Sequence, residues 1–214
     1  MINIFYSAFS QYPNDSIVQQ KQALLPTRIQ EKIDKYKDKW DRLLRLTGIL
    51  LLGEYIKMNG LDKEFSLESI VVNNNGKPSF GQSLFFNKAY AENLCLLAVS
   101  THGEIGIDIE KIRTLDLEMY SDYFTEREWH LIHSAHNPQA AFFDYWTRKE
   151  AVLKSIGYGL TMNMNEREVI AEVVNIQNRL IHLKKIDFLP GYSCHIATTG
   201  EHEIALKEMY LYGG

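Results

Sequence analysis

The sequence contains little cysteine and no long apolar run. Cys95 and Cys194 are the two cysteines in 214 residues, too few for a disulfide framework, so we expect two buried free thiols in a reducing compartment. The first residues lack the basic flank and the long apolar stretch of a signal peptide. The apolar run at residues 49–52 is far too short to cross a bilayer. These absences predict a cytoplasmic protein that does not act in a membrane.

A strong charge of either sign is also absent. The formal net charge is -4, with 45% hydrophobic and 23% charged residues, which is the composition of a globular protein with ample core. This balance gives no general attraction to nucleic acid or to anionic lipid. We therefore expect neither nucleic acid nor membrane as a partner, and phosphate binding would need a local basic patch.

A short stretch at residues 106–110 reads Gly-Ile-Asp-Ile-Glu. As a strand, it would bury Ile107 and Ile109 on one face and project Asp108 and Glu110 from the other. Neighbouring carboxylates repel each other, and a fold keeps them close mainly when a cation lies between them. An exposed strand edge shows the same alternation, so the pattern alone leaves both interpretations open.

A second stretch, residues 146–154, reads Trp-Thr-Arg-Lys-Glu-Ala-Val-Leu-Lys. Apolar residues recur here at helical spacing, and Glu150 and Lys154 lie one turn apart on a common side. Such a pair is often an ordinary solvated helix face. Together with Asp108 and Glu110, however, Glu150 could hold a hard cation such as Mg²⁺.

These two stretches resemble the signature motifs of the 4'-phosphopantetheinyl transferases, specifically the longer surfactin-synthetase type. The resemblance extends to Gly-Lys-Pro at residues 76–78, Phe-Thr-x-x-Glu at 124–128 and Gly-Leu at 159–160. It implies an α+β fold of two similar subdomains related by a pseudo-twofold axis, each a small antiparallel sheet packed on a long helix. Residues 1–103 would bind the nucleotide of coenzyme A, and residues 104–214 would carry the metal and catalytic motifs.

The resemblance also implies a reaction. This is Mg²⁺-dependent transfer of the 4'-phosphopantetheinyl group from coenzyme A to a serine of an apo acyl or peptidyl carrier protein, with release of 3',5'-ADP. Mn²⁺ could replace Mg²⁺. The implied metal ligands are Asp108, Glu110 and Glu150. The implied catalytic residues are Glu150, Lys154 and Glu128, the last near the carrier protein's serine. Glu128 also fits a capping box with Thr125, which is a complete structural explanation of its presence.

Residues that bind coenzyme A are expected in the N-terminal half. Arg42 and Arg45 lie one helical turn apart and could hold a phosphate, with Lys39 on the same helix. In the resembled family, basic residues of this helix contact the 3'-phosphate. The resemblance also assigns Lys77 and Pro78 to the adenine and ribose pocket, where the proline fixes the loop.

The chain departs from the family pattern at one place. The family usually has Ser-His where this sequence has Ala89 and Tyr90, at the start of a predicted hairpin turn at residues 89–93. A hydroxyl and a cationic donor are missing there. An alternative interpretation is therefore a degenerate homologue that binds coenzyme A or a carrier protein without catalysis. Another Mg²⁺-dependent phosphoryl or nucleotide transferase could also use the same three carboxylates.

Periodicity predicts the remaining elements. We expect a long helical region after Pro26, a helix at 120–136, and a helix that begins near Gln139 and ends at the glycines from Gly157. Strands are expected at 67–72 and, closing a second sheet, at 169–174, 179–184, 192–198 and 203–212. The histidines at 130, 133 and 136 drift around their helix in steps of three, so we do not expect them to bind zinc.

Overall fold

The computed structural model describes residues 1–157 and 164–212. The helices in these ranges are α1 (Asp15–Ala23), α2 (Thr27–Asp34), α3 (Lys39–Met58), α4 (Glu126–Ser134) and α5 (Pro138–Ile156). The strands are β1 (Ile2–Ala8), β2 (Val71–Val72), β3 (Pro78–Phe80), β4 (Leu84–Ala91), β5 (Leu94–Ser100), β6 (Ile105–Lys111), β7 (Val173–Ile176), β8 (Arg179–Lys185), β9 (Tyr192–Thr198) and β10 (Ile204–Glu208).

The elements stack in four layers. Helices α1, α2 and α3 cover one face of a six-stranded sheet with the order β10-β1-β5-β4-β3-β2. The other face packs on a four-stranded sheet, β6-β9-β8-β7, through side chains such as Ile4, Leu96, Ile107 and Ile196. Helix α5 covers the outer face of the second sheet. The predicted α+β class is therefore confirmed, and both cysteines are buried and free as expected.

Helix α5, which carries the second motif, begins and ends as its sequence predicts. The Asn137 side chain accepts a hydrogen bond from the backbone nitrogen of Ala140, 3.0 Å away, and Pro138 occupies the first turn. At the other end Gly157 adopts a left-handed conformation with φ 72°, which glycine takes without steric cost. The helix is thereby held at a defined length over the sheet.

The C-terminal strand is the main departure from the sequence prediction. Residues 203–212 were expected in the second sheet, but β10 pairs in parallel with β1 at the edge of the first, from Ile2 opposite Ile204 to Tyr6 opposite Glu208. The first sheet is therefore mixed, not purely antiparallel. A period of two marks a strand without naming its partner, so this long-range pairing left no local signal. The two subdomains and their pseudo-twofold axis stay predictions.

Smaller differences concern element boundaries. Residues 67–72 form a short 3-10 turn followed by β2, and β7 begins at Val173, four residues later than predicted. The helix predicted at 120–136 is a 3-10 turn followed by α4, because Thr125 caps a new helix. Strand β4 runs through the predicted turn at 89–93 as far as Ala91, and the chain reverses at Glu92, where φ is 49°.

Candidate active site

Gly106 allows α5 to approach β6 closely. A Cβ at this position would overlap the carbonyl oxygen of Ala151 and the backbone nitrogen of Ser155. Without a side chain, the helix backbone can lie directly on the strand. Asp108, two residues further along the strand, points to the same face. The helix therefore places its second-motif residues next to this carboxylate.

Asp108 forms a short ion pair with the second motif. The Lys154 Nζ atom lies 2.6 Å from Asp108 Oδ1. Burial raises the pKa of Asp108, and the charge of Lys154 offsets part of that rise. The other oxygen, Oδ2, is buried and has no hydrogen-bond partner within the described part of the chain. One oxygen is thus used by the lysine, and the other is left for a ligand.

Glu110 and Glu150 complete a cluster that we call the acidic site, made of Asp108, Glu110, Glu150 and Lys154. Burial raises the pKa of both glutamates, and the charge of Asp108 raises each further. Burial alone would lower the pKa of Lys154, but the three carboxylates raise it. The four groups therefore lie within electrostatic reach of one another, as the motifs predicted.

The carboxylates of the acidic site do not by themselves form a complete set of metal ligands. Among residues 1–157 and 164–212, no three His, Cys, Asp or Glu side chains are arranged to hold a metal ion. Glu110 is instead paired with Arg113 at 3.3 Å. Mg²⁺, however, is usually held by one or two carboxylates plus water and substrate phosphates. The all-oxygen donors and the unpartnered Asp108 Oδ2 fit a cation of that kind.

A buried polar network that the sequence did not reveal fixes α5 on β9. Thr147 Oγ1 lies 2.8 Å from His195 Nδ1 and 3.0 Å from Ser193 Oγ. His195 and Ser193 are the cross-strand partners of Asp108 and Glu110. Burial lowers the pKa of His195 to about 4, so its ring is neutral. The network holds the helix about one turn before Glu150. Its only sequence signal is a run of alternating polar residues in a buried strand.

Glu128 has a structural role that corrects the catalytic prediction. Its side chain is fully buried and accepts hydrogen bonds from the backbone nitrogens of Thr125 and Val169, at 2.9 and 2.8 Å. Lys149 lies 2.7 Å away and also donates to the carbonyl oxygens of Met164 and Arg167. Every polar group of this pair is used inside the fold. Glu128 therefore cannot contact a carrier protein's serine without unfolding of this region.

Lys77, predicted to bind the nucleotide, connects the two halves of the structure. Its ammonium pairs with Glu104 and donates to the carbonyl oxygen of Ser155, 2.6 Å away at the end of α5. The stem of Lys77 also packs at Gly157, where a Cβ would lie 3.2 Å from Lys77 Cδ. The Gly-Lys-Pro turn is thus attached to the helix of the second motif. Gly159-Leu160, the next part of the resemblance, lies outside the described residues.

A cavity of about 370 Å³ lies between α2, α3 and β4. We call it the basic pocket, because its charged lining residues are all cationic, namely Arg28, Lys32, Arg45 and Lys88. Pro78, Asn87 and Tyr90 also line it. Asn87 reaches the second sheet as well, since its Oδ1 accepts a hydrogen bond of 3.0 Å from the backbone nitrogen of Ile107. The pocket and the acidic site are therefore connected through β4 of the first sheet and β6 of the second, which are in contact.

The structure brings three of the predicted coenzyme A residues to this pocket, Arg45, Pro78 and Tyr90. The Arg45 guanidinium lies 4.0 Å above the centre of the Tyr90 ring, a cation–π contact. Arg42 lies nearby but donates to the carbonyl oxygen of Tyr36, and Lys39 lies over Tyr12.

Ala89 does not line the pocket. It is buried in the core between the sheets, on the strand face opposite Tyr90. Sequence reasoning missed Arg28 and Lys88 and treated Lys32 as part of a solvated face. The alternation of Phe86, Lys88 and Tyr90 along β4 was the signal that could have identified Lys88.

Comparisons with known proteins agree with this geometry. A family model described as the 4'-phosphopantetheinyl transferase superfamily matches residues 104–206. The 4'-phosphopantetheinyl transferase gsp of Aneurinibacillus migulanus is 29% identical over 174 residues, 77% of this chain and 72% of that protein. HetI of a Nostoc species is 40% identical over 124 residues, 53% of this chain and 50% of its own length. The transferase psf-1 of Bacillus pumilus is 32% identical over 123 residues, covering 54% and 52%.

The chain thus spans about half the length of two of these relatives and more of the third. The matched segment includes both motifs, from Gly106 in β6 to Lys154 in α5, which the structure brings into contact. Over residues 104–206 the chain is similar to the 4'-phosphopantetheinyl transferase superfamily, and the relatives named above are transferases of this kind.

Proposed function

We propose that this protein transfers the 4'-phosphopantetheinyl group from coenzyme A to a serine of an apo acyl or peptidyl carrier protein. The observation that carries the proposal is the acidic site, where Lys154 neutralises one oxygen of Asp108 and the other oxygen remains unpaired. The named relatives are 4'-phosphopantetheinyl transferases, and the two stretches of this sequence that resemble that family's motifs supply the residues of the cluster. The basic pocket, joined to it through Asn87, suits the nucleotide half of coenzyme A.

Asp108, Glu110 and Glu150 would hold Mg²⁺, with Mn²⁺ as the alternative cation. When bound, the cation would neutralise charge on the pyrophosphate of coenzyme A. All three ligands are hard oxygen donors, which these ions prefer.

Side chains of the protein carry out the proton transfer and stabilise the leaving group. Glu150 accepts the proton of the carrier protein's serine, whose oxygen forms a bond to the β-phosphorus. The bond from that phosphorus to the leaving phosphate breaks, and 3',5'-ADP departs. Lys154 donates to the pyrophosphate or to the leaving oxygen, where negative charge develops.

The carrier protein and the location of the reaction belong to the same proposal. Carrier proteins of the resembled family's reactions are typically acidic, so the docking surface should be locally basic and apolar despite the net charge of -4. Within the described residues, no helix is long and apolar enough to cross a membrane. A cytoplasmic location stays a prediction.

The direct test is incubation of the protein with coenzyme A, Mg²⁺ and a panel of apo carrier proteins, followed by intact-mass measurement. We expect one carrier class to gain a single phosphopantetheinyl group, and its serine-to-alanine variant to gain none. Binding of coenzyme A without modification of any carrier would instead support the non-catalytic homologue.

A further inference from the structure

Lys88 lies at the floor of the basic pocket, between Phe86 and Tyr90 on the same face of β4. Its side chain passes beneath α3 where Gly48 leaves room. A Cβ at Gly48 would lie 2.8 Å from Lys88 Cδ and 2.8 Å from the Tyr90 hydroxyl. The missing side chain at Gly48 therefore allows the lysine to enter the pocket from below.

The ammonium of Lys88 has no counter-ion. No carboxylate lines the pocket, and among the described residues Lys88 forms no ion pair and no hydrogen bond. Its nearest aromatic contact is Phe86, with Nζ 6.0 Å from the ring centre. By contrast, lysines 77, 149 and 154, which are buried or half-buried, each pair with a carboxylate. Lys88 is the exception among them.

Lys88 is half-buried, and an ammonium that loses hydration without gaining a partner is costly. The pKa of Lys88 is lowered to about 8, chiefly by burial; Cys95 opposes this shift, and the charges of Lys32 and Arg45 add to it. A strained charge of this kind in a pocket usually marks a binding function. Arg28 already donates to the carbonyl oxygens of Glu68 and Ile70, but Lys32 and Arg45 line the pocket with Lys88. The natural counter-ion for these cations is a phosphate-bearing ligand.

We propose that Lys88 contacts a phosphate of the nucleotide and sets the affinity of the basic pocket for it. This inference rests on the proposed function, which supplies coenzyme A as the ligand. The phosphate brings the negative charge that the pocket lacks, and Arg45, which lies over the Tyr90 ring, supplies a second cation. Arg28 and Lys32 on α2 complete the cationic wall.

The test is calorimetric binding of 3',5'-ADP to the free protein at pH 7. Lys88→Met should weaken binding roughly tenfold to a hundredfold, the scale of a charged hydrogen bond. Lys88→Arg should retain affinity within about fivefold, since it keeps the charge. Lys63→Met is the matched control, because Lys63 is exposed and does not line the pocket. Unchanged binding by Lys88→Met would overturn the inference.

Adenosine 5'-monophosphate identifies the contacted phosphate. A loss confined to 3',5'-ADP assigns Lys88 to the 3'-phosphate, and an equal loss for both ligands assigns it to the 5'-phosphate. Either result supports a phosphate contact.

The pH dependence gives a second readout in the wild type. Lys88 binds phosphate in its charged form, so affinity should be full below its pKa of about 8 and fall as the pH rises through that value. The other charged residues that line the pocket are Arg28, Lys32 and Arg45. Burial raises the pKa of Cys95 to about 12 and also raises that of Tyr90. At pH 8, binding should therefore take up about half a proton, and Lys88→Met should abolish this uptake.

Thermal unfolding separates a binding role from a structural one. Removal of an uncompensated charge should leave the Tm of ligand-free Lys88→Met equal or higher, while the Tm increase caused by 3',5'-ADP shrinks. A lower ligand-free Tm with an undiminished increase would contradict the inference. Carrier modification tests the proposed function separately. If the protein modifies a carrier but its affinity for 3',5'-ADP does not depend on Lys88, this inference alone is refuted. If binding depends on Lys88 but no carrier is modified, the proposed function alone is refuted.

Discussion

The acidic site and the basic pocket differ in whether their charged side chains are paired with opposite charges. In the acidic site the protein supplies its own counter-charges, since Lys154 pairs with Asp108 and Arg113 with Glu110. In the basic pocket the charged residues that line the cavity are all cationic, namely Arg28, Lys32, Arg45 and Lys88, and no carboxylate of the described chain lines it. The first site is nearly balanced before any ligand arrives, and the second is not. Under the proposed function, we therefore expect the pocket to contribute mainly binding energy and the acidic site to accommodate changes of charge during the reaction.

The largest expected effects come from the carboxylates of the acidic site. Asp108→Ala, Glu110→Ala and Glu150→Ala should each reduce turnover by on the order of a thousandfold, the upper range for loss of one positioned electrostatic group. Because burial and mutual repulsion raise the pKa of Glu110 and Glu150, their removal should not lower the Tm of the metal-free protein. Turnover measured over a range of Mg²⁺ concentrations tests this. A variant with near-wild-type turnover at low Mg²⁺ would show that its carboxylate is not a metal ligand.

The buried ion pair of Glu128 and Lys149 adds a third case to this comparison, because both of its charges are buried and paired. Glu128→Ala leaves Lys149 buried with no carboxylate, so it should lower the free energy of unfolding by about 3–5 kcal/mol. Urea unfolding measures this loss. If Glu128 is structural, turnover per folded molecule should stay near that of the wild type. A stable Glu128→Ala variant with strongly reduced kcat would restore the catalytic interpretation.

Lys154 should have the next effect, on turnover more than on binding. Lys154→Ala should lower kcat by on the order of a hundredfold, because it removes a donor to charge that develops in the transition state. Steady-state kinetics with coenzyme A and a carrier protein measure it. A rise in KM alone would mean that Lys154 contributes uniform substrate binding, and an unchanged kcat would reduce its role to the ion pair with Asp108.

Local chemistry explains which features the sequence could predict. The alternation around Asp108, the capping box at Thr125 and the end of α5 at Gly157 each depend on neighbours within a few residues, and each was found. The pairing of β10 with β1 and the contact of Lys77 with the end of α5 join residues far apart in sequence. Lys88 was missed for a different reason. Its importance lies in the lack of a partner, which becomes visible only when all neighbouring side chains are in place.

The smallest expected effects concern Ala89 and Tyr90, where the chain departs from the pattern of the family that it resembles. Tyr90→Leu removes the ring that faces the Arg45 guanidinium, so it should weaken coenzyme A binding by about 0.5–1 kcal/mol, the scale of an exposed cation–π contact. Tyr90→Phe keeps the ring and should stay within about twofold of the wild type. Calorimetric binding of coenzyme A measures both variants.

Ala89→Ser is the matched control on the same strand. Ala89 is buried between the sheets, away from the pocket, so the introduced serine hydroxyl should leave coenzyme A affinity unchanged. It should lower the free energy of unfolding by about 1–3 kcal/mol, the cost of burying an unpaired polar group. A gain in affinity from Ala89→Ser would place this residue in the pocket after all. Equal affinity losses for Tyr90→Phe and Tyr90→Leu would mean that the hydroxyl, and not the ring, makes the contact.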